Sequence, residues 1–502
     1  METFGCQMNV LDSELVLGQL SRLGYESTDS YRQADLVMLN TCSVRQHAED
    51  KVYSRLGEIA KAKQRRPEMI VGVIGCMAER DHDGIRAKAA TVDLICGPGN
   101  LNDIPSLLDE VLNGRQASAV ALGSTIASRS TVAHEPAVAL EHDHSRRTPA
   151  AQRTQLYDSI ESLDLSREMP TDGRVLQSYL RVQRGCDKFC TFCVVPFTRG
   201  PERSRPPEHI VQEARKLAEL GAREITLLGQ TVNSYKYVEN GRVVHFAELL
   251  QRVHEVVGID RLRFVTSYPG DFTDDVLYAM RDLPKVCEYL HIPAQSGSNA
   301  VLKRMKRQYT VEQYDELLAK AREIVPNISL AGDFIVGFCG ETEAEHEETL
   351  ALVERSRYKN IYMFKYSQRP GTVADRQLAD DIPEAIKQRR HTELAALQKR
   401  MCLQHHQALV GRQVEVLVEG YSKAAIKAQE AEQSRGHEIS WKRTDQLTGR
   451  TRGDEIVVFT GSESLIGQFV QIQVTSATTL TLHGQVVPAA GNADRAISLP
   501  VL

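Results

Sequence analysis

No apolar run in this 502-residue chain approaches the ~18 residues needed to span a bilayer, so no transmembrane helix is expected. The N-terminus, Met1-Glu2-Thr3-Phe4-Gly5-Cys6, lacks a basic stretch followed by an apolar one, and no secretory signal is expected. A strong charge imbalance is also missing. There are 61 Lys and Arg against 66 Asp and Glu, a net charge of -5. That excludes a globally basic nucleic-acid coat and leaves room for local basic patches. Cysteine is scarce: ten in 502 residues make no disulfide scaffold. A cytoplasmic protein is expected, in which such thiols are core residues, metal ligands or catalysts. What is present is ordinary: 42% hydrophobic and 25% charged residues rule out general disorder, and the length calls for two to four domains.

Residues 1–115 read as strand–helix repeats. Asp35–Asn40 and Met69–Ile74 are short apolar runs, with a helical pattern over Val44–Lys63 between them, and Val92–Ile95 is a third run. This alternation predicts a parallel sheet. Its first strand is expected to be abrupt, since the chain begins five residues before Cys6. Residues 116–175 lose hydrophobic periodicity and read as a linker or insertion, partly disordered. Residues 176–408 alternate again, with strands expected at Tyr179–Gln183, Glu224–Leu228, Arg261–Thr266, Tyr289–Ile292, Ser329–Val336 and Ile361–Tyr366. Helices are expected at Pro207–Leu220, Val311–Ile324 and Glu343–Arg357, and one long charged helix over 383–408. Residues 409–490 carry short β runs. The fold class expected is α/β: an N-terminal open parallel domain, a central partial (β/α)6 TIM-like barrel, and a small all-β C-terminal barrel.

Cys186, Cys190 and Cys193 form C-x3-C-x2-C directly after the first barrel strand, on the loop where such barrels place their chemistry. Three thiolates on one tight loop can hold three irons of a cubane cluster and leave the fourth iron open. A structural zinc site wants four protein ligands, and no fourth Cys or His is nearby. Cys6, Cys42 and Cys76 are 36 and 34 residues apart, each at a predicted strand end. Successive strand ends of a parallel sheet lie on one edge, so these thiols could converge on a second cluster. Spacing alone fits three buried cysteines equally well. Cys96 also ends a strand, but Gly97-Pro98-Gly99 after it reads as a turn.

The triplet resembles the signature of the radical S-adenosylmethionine superfamily. Thr3-Phe4-Gly5-Cys6-Gln7-Met8-Asn9, Asn40-Thr41-Cys42-Ser43 and Gly75-Cys76-Met77-Ala78 resemble the three ligand motifs of the methylthiotransferase family. So do Val194–Arg205 after the triplet, Leu228–Tyr235, His291–Ser298 and Tyr366–Thr372. The resemblance covers nearly the whole chain except 115–175. It implies two [4Fe-4S] clusters, one on Cys186, Cys190 and Cys193 and one on Cys6, Cys42 and Cys76, together with S-adenosyl-L-methionine. It implies that Phe192 lies against the adenine of that cofactor. Gln230, Ser267 and Gln295, at barrel strand ends, are candidate polar contacts to it, with backbone-satisfying hydrogen bonds as the alternative. The form Phe-Gly-Cys-Gln-Met-Asn resembles the branch acting on tRNA that carries isopentenylated adenosine. Threonylcarbamoyladenosine in tRNA is an alternative substrate, and a non-catalytic iron–sulfur redox sensor is another class of reading. An electron donor such as flavodoxin or ferredoxin is implied, no membrane partner is expected, and a monomer is expected. Catalytic side chains beyond these ligands are not assigned.

Cys339 stands where the family usually has proline and reads as a packing variant. Residues 410–488 resemble the TRAM RNA-binding domain, and Gly449–Asp454 its core loop. From Lys423 to Arg452 seven Lys and Arg face four Asp and Glu. With Trp441 beside Lys442-Arg443, backbone binding plus base stacking is expected there. Lys303–Arg307 and Arg199–Arg205 are two further basic stretches that could attract RNA.

Overall fold

The structure, a computed structural model, describes residues 1–43, 46–114, 119–122, 160–167, 175–435 and 445–488. Trp441, Lys442 and Arg443 lie outside them. The described chain forms two compact units, Met1–Gly258 with Ser367–Ala379, and Ile259–Tyr366 with Asp380–Leu502.

The first unit opens with a five-stranded parallel sheet in simple sequence order. Its strands are β1 (Glu2–Phe4), β2 (Leu36–Thr41), β3 (Ile70–Gly75), β4 (Leu94–Cys96) and β5 (Ala119–Ala121). The central strands are continuous apolar runs because both faces are covered by helices. Val37, Leu39, Val71, Val73 and Ile95 pack with Val52, Leu56 and Ile59 of α2 (Gln46–Lys63). α1 (Gln7–Arg22) and α3 (Cys76–Arg80) start where β1 and β3 end. β5 falls in the stretch read as a linker. Three residues, two of them alanine, give too little β signal to register. Within the same stretch, residues 160–165 are helical and bury Ile160, Leu163 and Asp164.

Strands Gln177–Arg181 and Glu224–Leu228 pair in parallel in this unit. The helix Pro207–Glu219 crosses between them. It starts with proline, whose missing N–H costs nothing at a first helical position. Ile210, Val211, Ala214 and Leu217 form its buried stripe.

In the second unit strands Tyr289–His291, Ser329–Val336 and Asn360–Lys365 pair in parallel. Helices Val311–Ile324 and Glu343–Ser356 begin with reciprocal caps, Thr310 with Gln313 and Thr342 with Glu345. Helix Glu384–Gln407 follows. A closed barrel then forms from Gln413–Tyr421, Gln446–Thr451, Ile456–Thr460, Leu482–Val486 and Phe469–Ala477, around Val416, Val418, Leu447, Phe459 and Ile472. Strand Gln446–Thr451 escapes a pattern reading because Gly449 and Thr451 take the buried positions where apolar residues would mark its alternation. Helix Lys423–Arg435, also unexpected, precedes it.

The small barrel is docked within its unit by buried cations. The Arg261 guanidinium donates to the carbonyls of Arg450 (2.8 Å) and Glu415 (3.0 Å). That of Arg263 donates to the carbonyls of Thr451 (2.6 Å) and Arg452 (2.7 Å). Lys359 pairs with Asp454 at 3.0 Å.

Candidate metal centres

Register brings Cys6, Cys42 and Cys76 to one edge. Phe4 faces Thr41 across β1 and β2, and Thr41 faces Gly75 across β2 and β3. The next level along these strands is therefore Gly5, Cys42 and Cys76, with Cys6 one residue beyond. Cys96 is excluded by the same register. It faces Ile74, two positions short of Cys76, which along a strand is ~6.6 Å. Its thiol donates to the Asn100 carbonyl at 3.2 Å, and burial holds its pKa well above the usual range.

The polar residues of the motifs lock this edge. Asn9 Nδ2 donates to Asn40 Oδ1 at 2.9 Å, and Asn40 Nδ2 donates to the Asn9 carbonyl at 2.8 Å and to Ser13 at 3.0 Å. Both asparagines are fully buried. Gly75 is obligatory: its φ is +94°, and an added Cβ would lie 2.3 Å from Asn40 Oδ1. Cys6 is the N-cap of the 16-residue α1, where the helix dipole favours a thiolate. Its pKa falls to about 6, first through a hydrogen bond with Cys42 and then, against burial, through the charge of Arg199. Cys76 is pushed up by burial, which the charge of Arg199 offsets only in part.

Arg199 is supplied from the segment after the triplet. Its side chain is 6% exposed and bonds Asp12 of α1 at 2.8 Å. Asp12 also binds Arg181 at 3.0 Å, and Arg181 binds Asp164 of the 160–165 helix. Arg205 continues the lattice to Glu161 and Glu213. On the Cys42 side, Arg369 and Arg80 share Glu49, at 3.4 and 2.9 Å.

The triplet sits on a loop pinned at both ends. Cys186 N–H donates to the Gly200 carbonyl at 3.2 Å, and Cys193 N–H to that of Cys190 at 3.0 Å. Gly185 has φ +67°, and a Cβ there would be 2.0 Å from the Pro201 carbonyl oxygen. Cys190 is buried, while Cys186, Phe192 and Cys193 are partly exposed. Burial pushes the Cys186 thiol up to about 11, so a bound metal would have to displace its proton. Among the described residues no three His, Cys, Asp or Glu side chains form the tight group that one metal ion needs. A cubane asks for something else: three thiolates that each hold a separate iron.

Of the candidate cofactor contacts, Gln230 is half-buried after strand Glu224–Leu228 in the first unit. Beside Gly229, the buried Gln183 presents an Nε2 that has no partner among the described residues. Ser267 and Gln295 are in the second unit. Ser267 is buried, its N–H donates to the His291 carbonyl, and its Oγ is likewise unpartnered among the described residues. Gln295 has φ +72° and the neighbouring strand end Thr266 has φ +69°. Such backbone in a non-glycine residue persists only where its surroundings enforce it, commonly at ligand sites. Orphaned buried donors and acceptors of this kind suit a polar cofactor.

Family models match three parts of the chain: "Uncharacterized protein family UPF0004" over residues 1–97, the radical SAM superfamily over 180–353, and the TRAM domain over 438–487. The chain is 46% identical to the tRNA-2-methylthio-N(6)-dimethylallyladenosine synthase of Rhodopirellula baltica, over 97% of this chain and 95% of that protein. It is 40% identical to the protein of that name from Moorella thermoacetica, over 97% of each. The chain belongs to this family. A solved radical S-adenosylmethionine methyltransferase, TsrM from Kitasatospora setae, shares the fold, with TM-score 0.50 and 15% identity over 73% of this chain and 71% of that one.

The structure reassigns several cations of this family member. Arg199 and Arg205 are buried in ion pairs and cannot serve as an RNA-attracting surface. Arg304 pairs with Glu345, and Arg307 stacks over Tyr268 at 4.6 Å while donating to the Pro293 carbonyl. Arg450 pairs with Asp454 and Glu419, and Arg452 with Glu288. Lys423 and Lys427 are exposed. Cys339 is buried beside Tyr366 in the second unit, as a packing residue would be.

Proposed function

We propose that this chain installs a methylthio group at C2 of N6-isopentenyladenosine beside the anticodon of tRNA, consuming two molecules of S-adenosylmethionine. The observation that carries this is the gathering of Cys6, Cys42 and Cys76 at one edge of the parallel sheet, in the same compact unit as the Cys186–Cys193 loop. Cys186, Cys190 and Cys193 would hold one [4Fe-4S] cluster and Cys6, Cys42 and Cys76 the other. When bound, the first supplies the electron that cleaves S-adenosylmethionine to a 5′-deoxyadenosyl radical, and the second supplies an open iron for sulfur. The substrate explains the need: no side chain of ordinary pKa could remove an aromatic C–H proton.

The chain's own residues hold and orient. Asn9 and Asn40 fix the sheet edge, and Gly185 lets the triplet loop approach Pro201. Phe192 would lie against the adenine of S-adenosylmethionine. Gln230, Ser267 and Gln295 would satisfy its polar groups. The small barrel and helix Lys423–Arg435 would carry RNA contacts. A flavodoxin or ferredoxin would deliver electrons, and the protein would work as a cytoplasmic monomer. No described helix is long and apolar enough to cross a membrane.

Iron content tests the assignment. Anaerobically reconstituted protein should bind about eight irons, and the Cys186→Ala, Cys190→Ala, Cys193→Ala variant about four. Unchanged iron in that variant would remove the loop from the account.

A further inference from the structure

One side chain is tied to both candidate centres. Arg199 follows Cys193 by six residues, just past the short helix Val195–Thr198. That segment is anchored to the triplet loop, because Gly200, its next residue, accepts the Cys186 N–H. The guanidinium nevertheless serves the other centre. It is almost wholly buried and bonds Asp12 at 2.8 Å, and its charge acts on Cys76 and Cys6. Asp12 lies in the second turn of α1, the helix that Cys6 caps. Its carboxylate is divided between Arg199 and Arg181, so it holds the Arg199 guanidinium in place without cancelling it. The cation on the Cys42 side differs. Arg369 faces Glu49, a carboxylate buried beside it, and Ser43 and Arg80 bind the same group.

We propose that Arg199 is a positioning residue that sets the reduction potential of the cluster on Cys6, Cys42 and Cys76. This rests on the cluster assignment above. Reduction adds negative charge to the cluster. A fixed positive charge held beside the cluster favours that state. In a buried site the charge is weakly screened, so the effect is large compared with that of a surface arginine. The covalent link matters as well. Because Arg199 belongs to the triplet segment, the electrostatics of one centre depend on the loop that builds the other. Arg199 is also separated in function from the rest of the lattice: Arg181 and Arg205 face carboxylates, whereas Arg199 alone of these three acts on thiols.

The test uses the full chain with Cys186→Ala, Cys190→Ala and Cys193→Ala, reconstituted anaerobically so that only the other cluster is present. Redox titration followed by electron paramagnetic resonance is compared with and without Arg199→Gln. The expected result is about four irons in both, with the reduction equilibrium shifted at least tenfold toward the oxidised state in Arg199→Gln, about 59 mV for one electron. Arg199→Lys should recover more than half of the shift. Absence of iron before Arg199 is changed would take away the cluster assignment itself. Full iron with an unmoved potential in Arg199→Gln would overturn the proposal. Should Arg199→Gln take up no iron, Asp12→Asn decides: removing that carboxylate's charge while Arg199 remains must raise the potential, and an unchanged value overturns the proposal.

Discussion

Replacing Lys423 and Lys427 with Gln should flatten the salt dependence of tRNA binding, whereas Arg450→Gln and Arg452→Gln should leave it unchanged. Seven cations lie between Lys423 and Arg452. If each neutralised one phosphate of a duplex, the slope of log K against log salt would be ~-6, at ~-0.9 apiece. The structure removes two of them. Arg450 binds Asp454 at 2.9 Å and Glu419 at 3.2 Å, and Arg452 binds Glu288 at 2.7 Å. A guanidinium already held by carboxylates does not neutralise a phosphate, and so releases none of the counterions condensed on the RNA. Five contacts give ~-4.5, of which Lys423 and Lys427 supply ~-1.8. Between ~50 and ~200 mM salt, that share is ~12-fold in affinity. Fluorescence anisotropy with tRNA across a salt series reads it directly. Deleting the whole barrel would be a poorer test, because Arg261, Arg263 and Lys359 would lose their buried partners and the remaining unit would be destabilised. An unchanged slope in the double lysine variant, or a loss of ~0.9 in Arg450→Gln with normal thermal stability, would refute this reasoning.

Three other perturbations have clear outcomes. Changing Cys6, Cys42 and Cys76 to Ala should abolish methylthiolation and spare 5′-deoxyadenosine formation; loss of both, with about four irons still bound, would contradict the division of labour. Arg181→Met leaves Asp12 and Asp164 short of a buried partner and should cost about 3–5 kcal/mol in denaturant unfolding; a cost below about 1 kcal/mol would mean that the lattice is not stabilising. Burial pushes Glu455 up, but His405 at 2.9 Å, Lys359 and Thr451 outweigh it and hold its carboxyl below the ordinary 4.5. A depressed folded-state pKa stabilises above the unfolded value and fades as pH falls below it. The melting-temperature gap between parent and Glu455→Gln should therefore be widest near neutrality and shrink steadily below pH 4.5; a gap that grows on acidification would reverse the sign.

Much of the architecture could be read from the chain. Apolar runs of the right length gave β2 and β3 to within a residue, and Glu224–Leu228 and Ser329–Val336 fall where expected. The gathering of Cys6, Cys42 and Cys76 at one sheet edge was legible because each motif follows a strand in a parallel sheet. β5 was not legible, since its pairing with β4 supplies what Ala119 and Ala121 lack in intrinsic preference. Strand Gln446–Thr451 was hidden by Gly449, which the barrel requires because a Cβ there would lie 2.1 Å from the Leu417 carbonyl oxygen. The arginines were misjudged for one reason. A sequence shows charge but not partners, so Arg199, Arg205, Arg304, Arg307, Arg450 and Arg452 read as surface while the fold commits them to carboxylates, carbonyls and rings. Arg199 carried one signal, its place in the segment that follows the triplet, but its approach to Cys76 depends on contacts distant in sequence.

The most direct measurement of the central claim is mass spectrometry of tRNA nucleosides from cells lacking this protein, with and without a plasmid copy. The account predicts that 2-methylthio-N6-isopentenyladenosine disappears and N6-isopentenyladenosine accumulates. The parent copy should restore the modification, and a copy with Cys186→Ala, Cys190→Ala and Cys193→Ala should not. A normal level of the methylthiolated nucleoside in the deficient cells, or restoration by the triple variant, would contradict it.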